Sequence, residues 1–190
     1  MKKAFYITLT LLTFIISSCE NNAGSSYNPP TSNPIVNILK GDYSGTMSIG
    51  DNVKFVDTSG YTLRTGIILK KFPYYSLMEY ATEDKLFLDS MYSKVEGMDL
   101  YLHYNASFAG SDSKDILFEV SEFSKIIPFE DGSSLLLECN GGVGSYSADN
   151  GCMEHNIEIS KLVFITDEKE IPILKETALP VKFTLYKSES

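Results

Sequence analysis

Residues 99–108 read DLYLHYNASF and form the clearest alternating stretch of the chain. Apolar or aromatic side chains stand at every second position, at Leu100, Leu102 and Tyr104, and more polar residues alternate with them. A period of two is typical of a β-strand with one face in the core and the other in water. The stretch therefore predicts an antiparallel sheet with one wet side.

The same alternation recurs at Tyr43–Ile49 and at Val181–Leu185. Clusters of Gly, Ser, Asp and Asn predict turns between such runs, at Thr58–Gly60, Gly110–Ser113, Glu130–Gly132 and Ala148–Gly151. Their spacing predicts one mainly β domain over residues 35–190, an antiparallel β-sandwich or barrel of about eight strands.

One segment has a helical period instead, with apolar residues three or four apart at Leu77, Ala81, Leu88, Tyr92 and Val95. We expect one inserted helical segment over roughly 76–95, in one piece or two. Ser76 and Glu79 have the spacing of a capping box, Tyr75 and Tyr80 could form the hydrophobic staple across it, and Gly97 is a plausible stop.

A single helix covers only part of the apolar face of a sheet, so the seam between helix and sheet is the expected place for a pocket. Tyr74, Tyr75 and Tyr80 stand at the entry of the helix and are the candidate binding residues. The alternative is that these tyrosines only pack the helix onto the sheet.

Composition limits the function classes. The chain has 190 residues, 43% of them hydrophobic and 12% aromatic, which is enough to bury a core. Its net charge of −9 opposes binding to phosphate backbones. Nucleic acid is therefore not an expected partner.

The N-terminus has the pattern of an export signal. Lys2 and Lys3 precede the apolar stretch Ala4–Ile16, and Ser17 and Ser18 supply small residues before Cys19. The apolar run is shorter than the roughly 18 residues of a transmembrane helix. Residues 1–18 are therefore expected to be a signal peptide.

The residues Ile16-Ser17-Ser18-Cys19 resemble the lipobox of bacterial lipoproteins. The resemblance implies cleavage before Cys19, a lipid on that cysteine, and a place in the bacterial cell envelope as an outer-membrane lipoprotein, facing the periplasm or the exterior. Residues 19–34 then form the lipidated cysteine and a spacer, because their Asn, Ser, Gly and Pro content is typical of flexible chain.

Two further short resemblances point to exported Bacteroidetes proteins. Gly41–Thr46 resembles the opening strand of calycin-like lipoproteins, a lipocalin-related family of unknown function, which implies a β-barrel. Asp89-Ser90-Met91 resembles an acceptor of O-linked glycans, which makes Ser90 a candidate modification site.

The remaining cysteines, Cys139 and Cys152, are expected to form a disulfide, since an even pair in an exported chain is most often bonded. The two histidines, His103 and His155, are expected to lie in solvent. No His-Glu-x-x-His or Gly-x-Ser-x-Gly motif is present, so we predict no metal, no cofactor and no catalytic residue.

These observations favour a membrane-anchored, non-catalytic lipoprotein whose β domain binds a small ligand or another envelope protein. The alternative is a structural or adhesion subunit of the pilin type, which should expose a strand or groove for strand exchange. A glycan hydrolase is a third class, and it would need two facing carboxylates in a cleft.

Overall fold

The computed structural model describes residues 33–51, 53–174 and 178–188. The predicted signal peptide, the lipidation site Cys19 and the spacer up to residue 32 lie outside the described residues. Within them are three helices and eleven strands: α1 (Pro34–Leu39), β1 (Gly41–Ile49), β2 (Lys54–Leu63), β3 (Gly66–Lys70), α2 (Tyr74–Ala81), α3 (Lys85–Val95), β4 (Leu100–Phe108), β5 (Ile116–Val120), β6 (Phe123–Pro128), β7 (Ser134–Cys139), β8 (Gly142–Ser147), β9 (Cys152–Ile165), β10 (Glu170–Pro172) and β11 (Leu179–Lys187).

Eight of these strands close into an antiparallel barrel. β1 to β5 pair in chain order, β5 pairs with β8, β8 with β9, β9 with β11, and β11 returns to β1. Closure gives every strand of the ring two neighbours, so the ring has no open edge. The predicted mainly β fold, a sandwich or barrel of about eight strands, is confirmed as a barrel.

β9 pairs with different strands along its two halves. Its first half lies in the barrel, and its second half pairs with β7 on one side and β10 on the other, with β6 beyond β7. The register with β7 shifts between Ile159 and Lys161, so Ser160 is an extra residue of the β-bulge type. The bulge also interrupts the alternation of buried residues, because Ile157 and Ile159 are buried before it and the consecutive pair Leu162 and Val163 after it.

Side chains fill the inside of the barrel. Leu100 and Leu102 of β4 are fully buried, as the alternation predicts, and so are Val181, Phe183 and Leu185 of β11. Each large apolar side chain removed from water contributes roughly 1.5 to 3 kcal/mol. On β4 the alternation of buried and exposed side chains ends at Phe108, which is exposed.

The predicted helical segment consists of two helices. α2 begins at Tyr74, after Pro73, so Ser76 lies in the first turn and the predicted capping box at Ser76 is wrong. α3 is capped by Asp84, whose carboxylate accepts the Phe87 N–H at 3.1 Å. Past the end of α3, Gly97 has φ +77°, a left-handed conformation that suits glycine.

No helix in the described ranges is long and apolar enough to cross a membrane.

Candidate functional site

A cavity of about 520 Å³ lies between the β3–α2 connection and the two helices. We call it the seam cavity. It is lined by Lys71–Ser76 on one side and by Tyr92 and Val95–Gly97 on the other. Its volume lies within the range of small-molecule sites.

Backbone hydrogen bonds fix the two sides of the seam cavity to each other. The Phe72 N–H donates to the Met98 carbonyl at 2.7 Å, which joins the entry of α2 to the exit of α3. Lys71 has φ +50°, a conformation that is unusual for a residue with a side chain. Its N–H donates to Asp99 Oδ1 at 2.8 Å, and this bond holds the turn in place.

Four aromatic rings surround the cavity in two edge-to-face pairs. Phe72 and Tyr74 are buried, with ring centroids 4.8 Å apart. Tyr75 of α2 and Tyr92 of α3 meet at 5.3 Å and 81°. Because Tyr92 is 52% exposed, the second pair forms the part of the lining that a ligand can reach.

The hydroxyl of Tyr74 is engaged within the protein. It donates to the Asp99 carbonyl at 3.3 Å and accepts a hydrogen bond from Lys125 Nζ at 3.3 Å. Lys125 Nζ also donates to the Asp99 carbonyl at 2.7 Å. Burial raises the pKa of Tyr74, helped by nearby Asp99, and burial lowers the pKa of Lys125. Tyr74 therefore has a structural role in the cavity wall, because its hydroxyl is already hydrogen-bonded within the protein.

The structure brings two of the three predicted tyrosines together. Tyr74 and Tyr75 line the seam cavity, whereas Tyr80 lies at the far end of α2, beside Gly50, and lines a different cavity. The predicted staple between Tyr75 and Tyr80 is therefore wrong, because the ring of Tyr75 packs on Tyr92 instead. The helical period had assigned Tyr92 to the core face and did not identify it as a site residue.

The predicted disulfide is also wrong. Cys139 and Cys152 are free thiols, the first buried and the second half-buried. Cys139 stands opposite Ile159 of β9, and Cys152 is the first residue of the same strand. At about 3.3 Å per residue the two positions are more than 20 Å apart, far beyond the 4.4 to 6.8 Å between bonded cysteine Cα atoms.

The two histidines differ. His103 is exposed on the outer wall of β4, as expected, but His155 is only 2% exposed and points into the barrel. Its ring stacks on Phe183 at 4.4 Å and 13°, and neither ring nitrogen has a hydrogen-bond partner among the described residues. Burial lowers the pKa of His155 to about 3. His155 is a neutral core residue, which corrects the expectation of a solvated one.

Ser90 is exposed on α3, and its hydroxyl donates to the Phe87 carbonyl at 2.6 Å. Met91, the third residue of the glycan-acceptor motif, is fully buried. An enzyme that reads all three side chains would have to unwind this turn of α3. Modification of Ser90 stays a prediction.

The described residues contain no group of three or more His, Cys, Asp and Glu side chains that could hold a metal ion. No protein-family model matches the sequence, and neither a curated protein nor a solved structure is significantly similar to it.

Proposed function

We propose that this protein is a non-catalytic binding protein of the bacterial envelope, tethered by a lipid on Cys19, whose barrel domain binds a small aromatic ligand in the seam cavity. The observation that carries the proposal is the edge-to-face pair of half-buried Tyr75 and exposed Tyr92, on two helices that border one cavity.

The hydroxyl groups of this pair support a binding role. Neither the Tyr75 nor the Tyr92 hydroxyl has a hydrogen-bond partner within the described part of the chain. A phenol can pack its ring against a ligand and bond a polar group of it through the hydroxyl. Both groups are therefore available to a ligand, in contrast to the hydroxyl of Tyr74.

The rim of the cavity carries one charge of each sign, from the exposed side chains of Lys71 and Glu96. Lys71 can pair with an anionic group of a ligand, Glu96 can accept a hydrogen bond from it, and the tyrosine rings can pack on a flat aromatic ring. The barrel interior is a less suitable site, because Tyr43, Met47 and Phe183 fill it and are at most 1% exposed.

The proposal is tested with a dye that has this chemistry, 8-anilinonaphthalene-1-sulfonate, titrated into the intact folded protein and followed by its fluorescence. We expect saturable binding that Tyr92→Ala weakens about tenfold, since an aromatic contact and the buried area behind it contribute roughly 1 to 2 kcal/mol.

Tyr101→Ala is the matched control. Tyr101 is 50% exposed on the outer wall of β4, almost the same as Tyr92, but lies outside the cavity lining. Its loss should leave the dye affinity unchanged. Equal effects of the two substitutions, or no effect of Tyr92→Ala in a protein of unchanged melting temperature, would refute the proposed site.

A further inference from the structure

A second cavity, of about 790 Å³, lies on the outer wall of the barrel. We call it the outer groove. It runs over a row of four residues that pair with each other across β4, β5, β8 and β9, namely Ala106, Phe118, Gly144 and His155, of which Phe118 and His155 turn their side chains into the barrel beneath it. The row crosses the strands, and with β11 beside β9 it spans roughly 19 Å at about 4.8 Å per strand. The groove therefore suits an elongated ligand lying across the strands.

Hydrogen-bonding side chains that face outward flank this row on both sides. Five of them, exposed on four different strands, have no side-chain hydrogen bond to any described residue: Asn105, Ser107, Glu119, Ser145 and Asn156. Amides and hydroxyls both donate and accept, and a carboxylate accepts. Such a set complements a ligand that offers hydroxyl groups along its length.

The charges of the outer groove nearly cancel. Glu154 lies 3.6 Å from Lys182 and also accepts a hydrogen bond from Thr184 at 3.5 Å. Glu119 is the remaining charge of the lining. A polyanion would meet a single cation that is already paired, and a polycation would meet a single unpaired carboxylate, so the lining favours a neutral ligand.

Two apolar side chains stand among the polar ones. Leu117 is 50% exposed and Val143 is 62% exposed, on the adjacent strands β5 and β8. They can pack against the C–H faces of a ligand whose hydroxyl groups bond the neighbouring amides and carboxylate. We propose that the outer groove is a second binding site, separate from the seam cavity, for a neutral oligosaccharide chain.

The test is affinity electrophoresis of the intact protein through native gels that contain barley β-glucan, yeast mannan or soluble starch. We expect at least one of these neutral polymers to retard the protein. The double variant Asn105→Ala/Asn156→Ala should reduce the retardation at least fivefold, because it removes both amide side chains of the lining.

The control is Asp57→Ala/Ser59→Ala, which removes two exposed polar side chains of β2 outside the groove. It should be retarded like the unmodified protein, as should Tyr92→Ala, whose change lies in the seam cavity. The proposal is overturned if none of the three polymers retards the protein, or if the groove variant, still folded by circular dichroism, is retarded as before. Binding of spermine without binding of any neutral polymer would also overturn it.

Discussion

Among single residues, His155 makes the stability of the barrel depend on pH. The ring lies between Phe183 and Phe118 and has no hydrogen-bond partner among the described residues, so nothing there compensates a positive charge. The pKa is about 3 in the folded protein and about 6.5 in an unfolded chain. Between these values the unfolded state binds a proton that the folded state does not, so the free energy of unfolding falls as the pH falls.

We predict that His155→Phe removes this pH dependence. Between pH 7 and pH 4.5 the histidine should cost the native protein roughly 2 to 3 kcal/mol of stability, and the phenylalanine variant should not show that loss. Urea unfolding at the two pH values measures the difference. His103→Phe, on the exposed wall of β4, is the control and should keep the full loss; an unchanged loss in His155→Phe would contradict the assignment.

Gly144 shows why the sequence did not reveal this core histidine. A Cβ on Gly144 would lie 2.6 Å from the Cβ of His155 and 2.5 Å from the ring of Phe118, so both side chains need a glycine between them. In the sequence, the run from Gly141 to Gly144 has the composition of a loop. Its glycines instead make room for residues on the neighbouring strands. Which residues lie there depends on the tertiary structure and cannot be read from the sequence.

At the scale of elements, the alternation of side chains correctly predicted β1, β4 and β11, because each has one face in the core. Thr58–Gly60 was wrongly predicted as a turn: it lies inside β2, and a Cβ at Gly60 would be 2.7 Å from Ile67 Cδ1. A glycine in the sequence is compatible with a turn and with a close packing contact, and the sequence alone does not distinguish the two. The pocket was predicted between the helix and the sheet, whereas Tyr74 and Tyr75 line a cavity between the β3–α2 connection and the two helices. Tyr92 joins this lining because α3 packs beside α2, which no residue spacing encodes.

The positions of Cys139 and Cys152 relative to β9 lead to a prediction about their oxidation state. Because Cys152 opens the strand and Cys139 faces Ile159, we expect two free thiols in the folded protein. A maleimide reagent should label Cys152 under native conditions and Cys139 only after unfolding, since Cys139 is 3% exposed. Mass spectrometry of a non-reduced digest is the check, and a peptide that joins Cys139 to Cys152 would contradict the register of β7 on β9.

At the scale of the whole molecule, the lipid anchor remains a prediction from the residues before Cys19. Cys19→Ala should move the protein from the detergent phase to the aqueous phase, because acyl chains contribute about 0.8 kcal/mol per buried CH₂ and residues 20–34, rich in Asn, Ser, Gly and Pro, offer no substitute. Phase partition of the wild type and variant measures this. Cys152→Ala serves as the cysteine control and should partition like the wild type.

The pairing of β1 with β11 has a consequence for how the protein folds. It sets Tyr43 opposite Lys187, so the ring closes between the first and the last strand of the described chain. Contacts between residues so distant in sequence slow folding, typically to milliseconds or seconds, since the entropy of a long loop must be lost first. Until β11 docks, β1 and β9 each present an unpaired edge that can recruit another chain. The interval before closure is thus when this protein is most exposed to aggregation, and a chain cut short before β11 would never leave it.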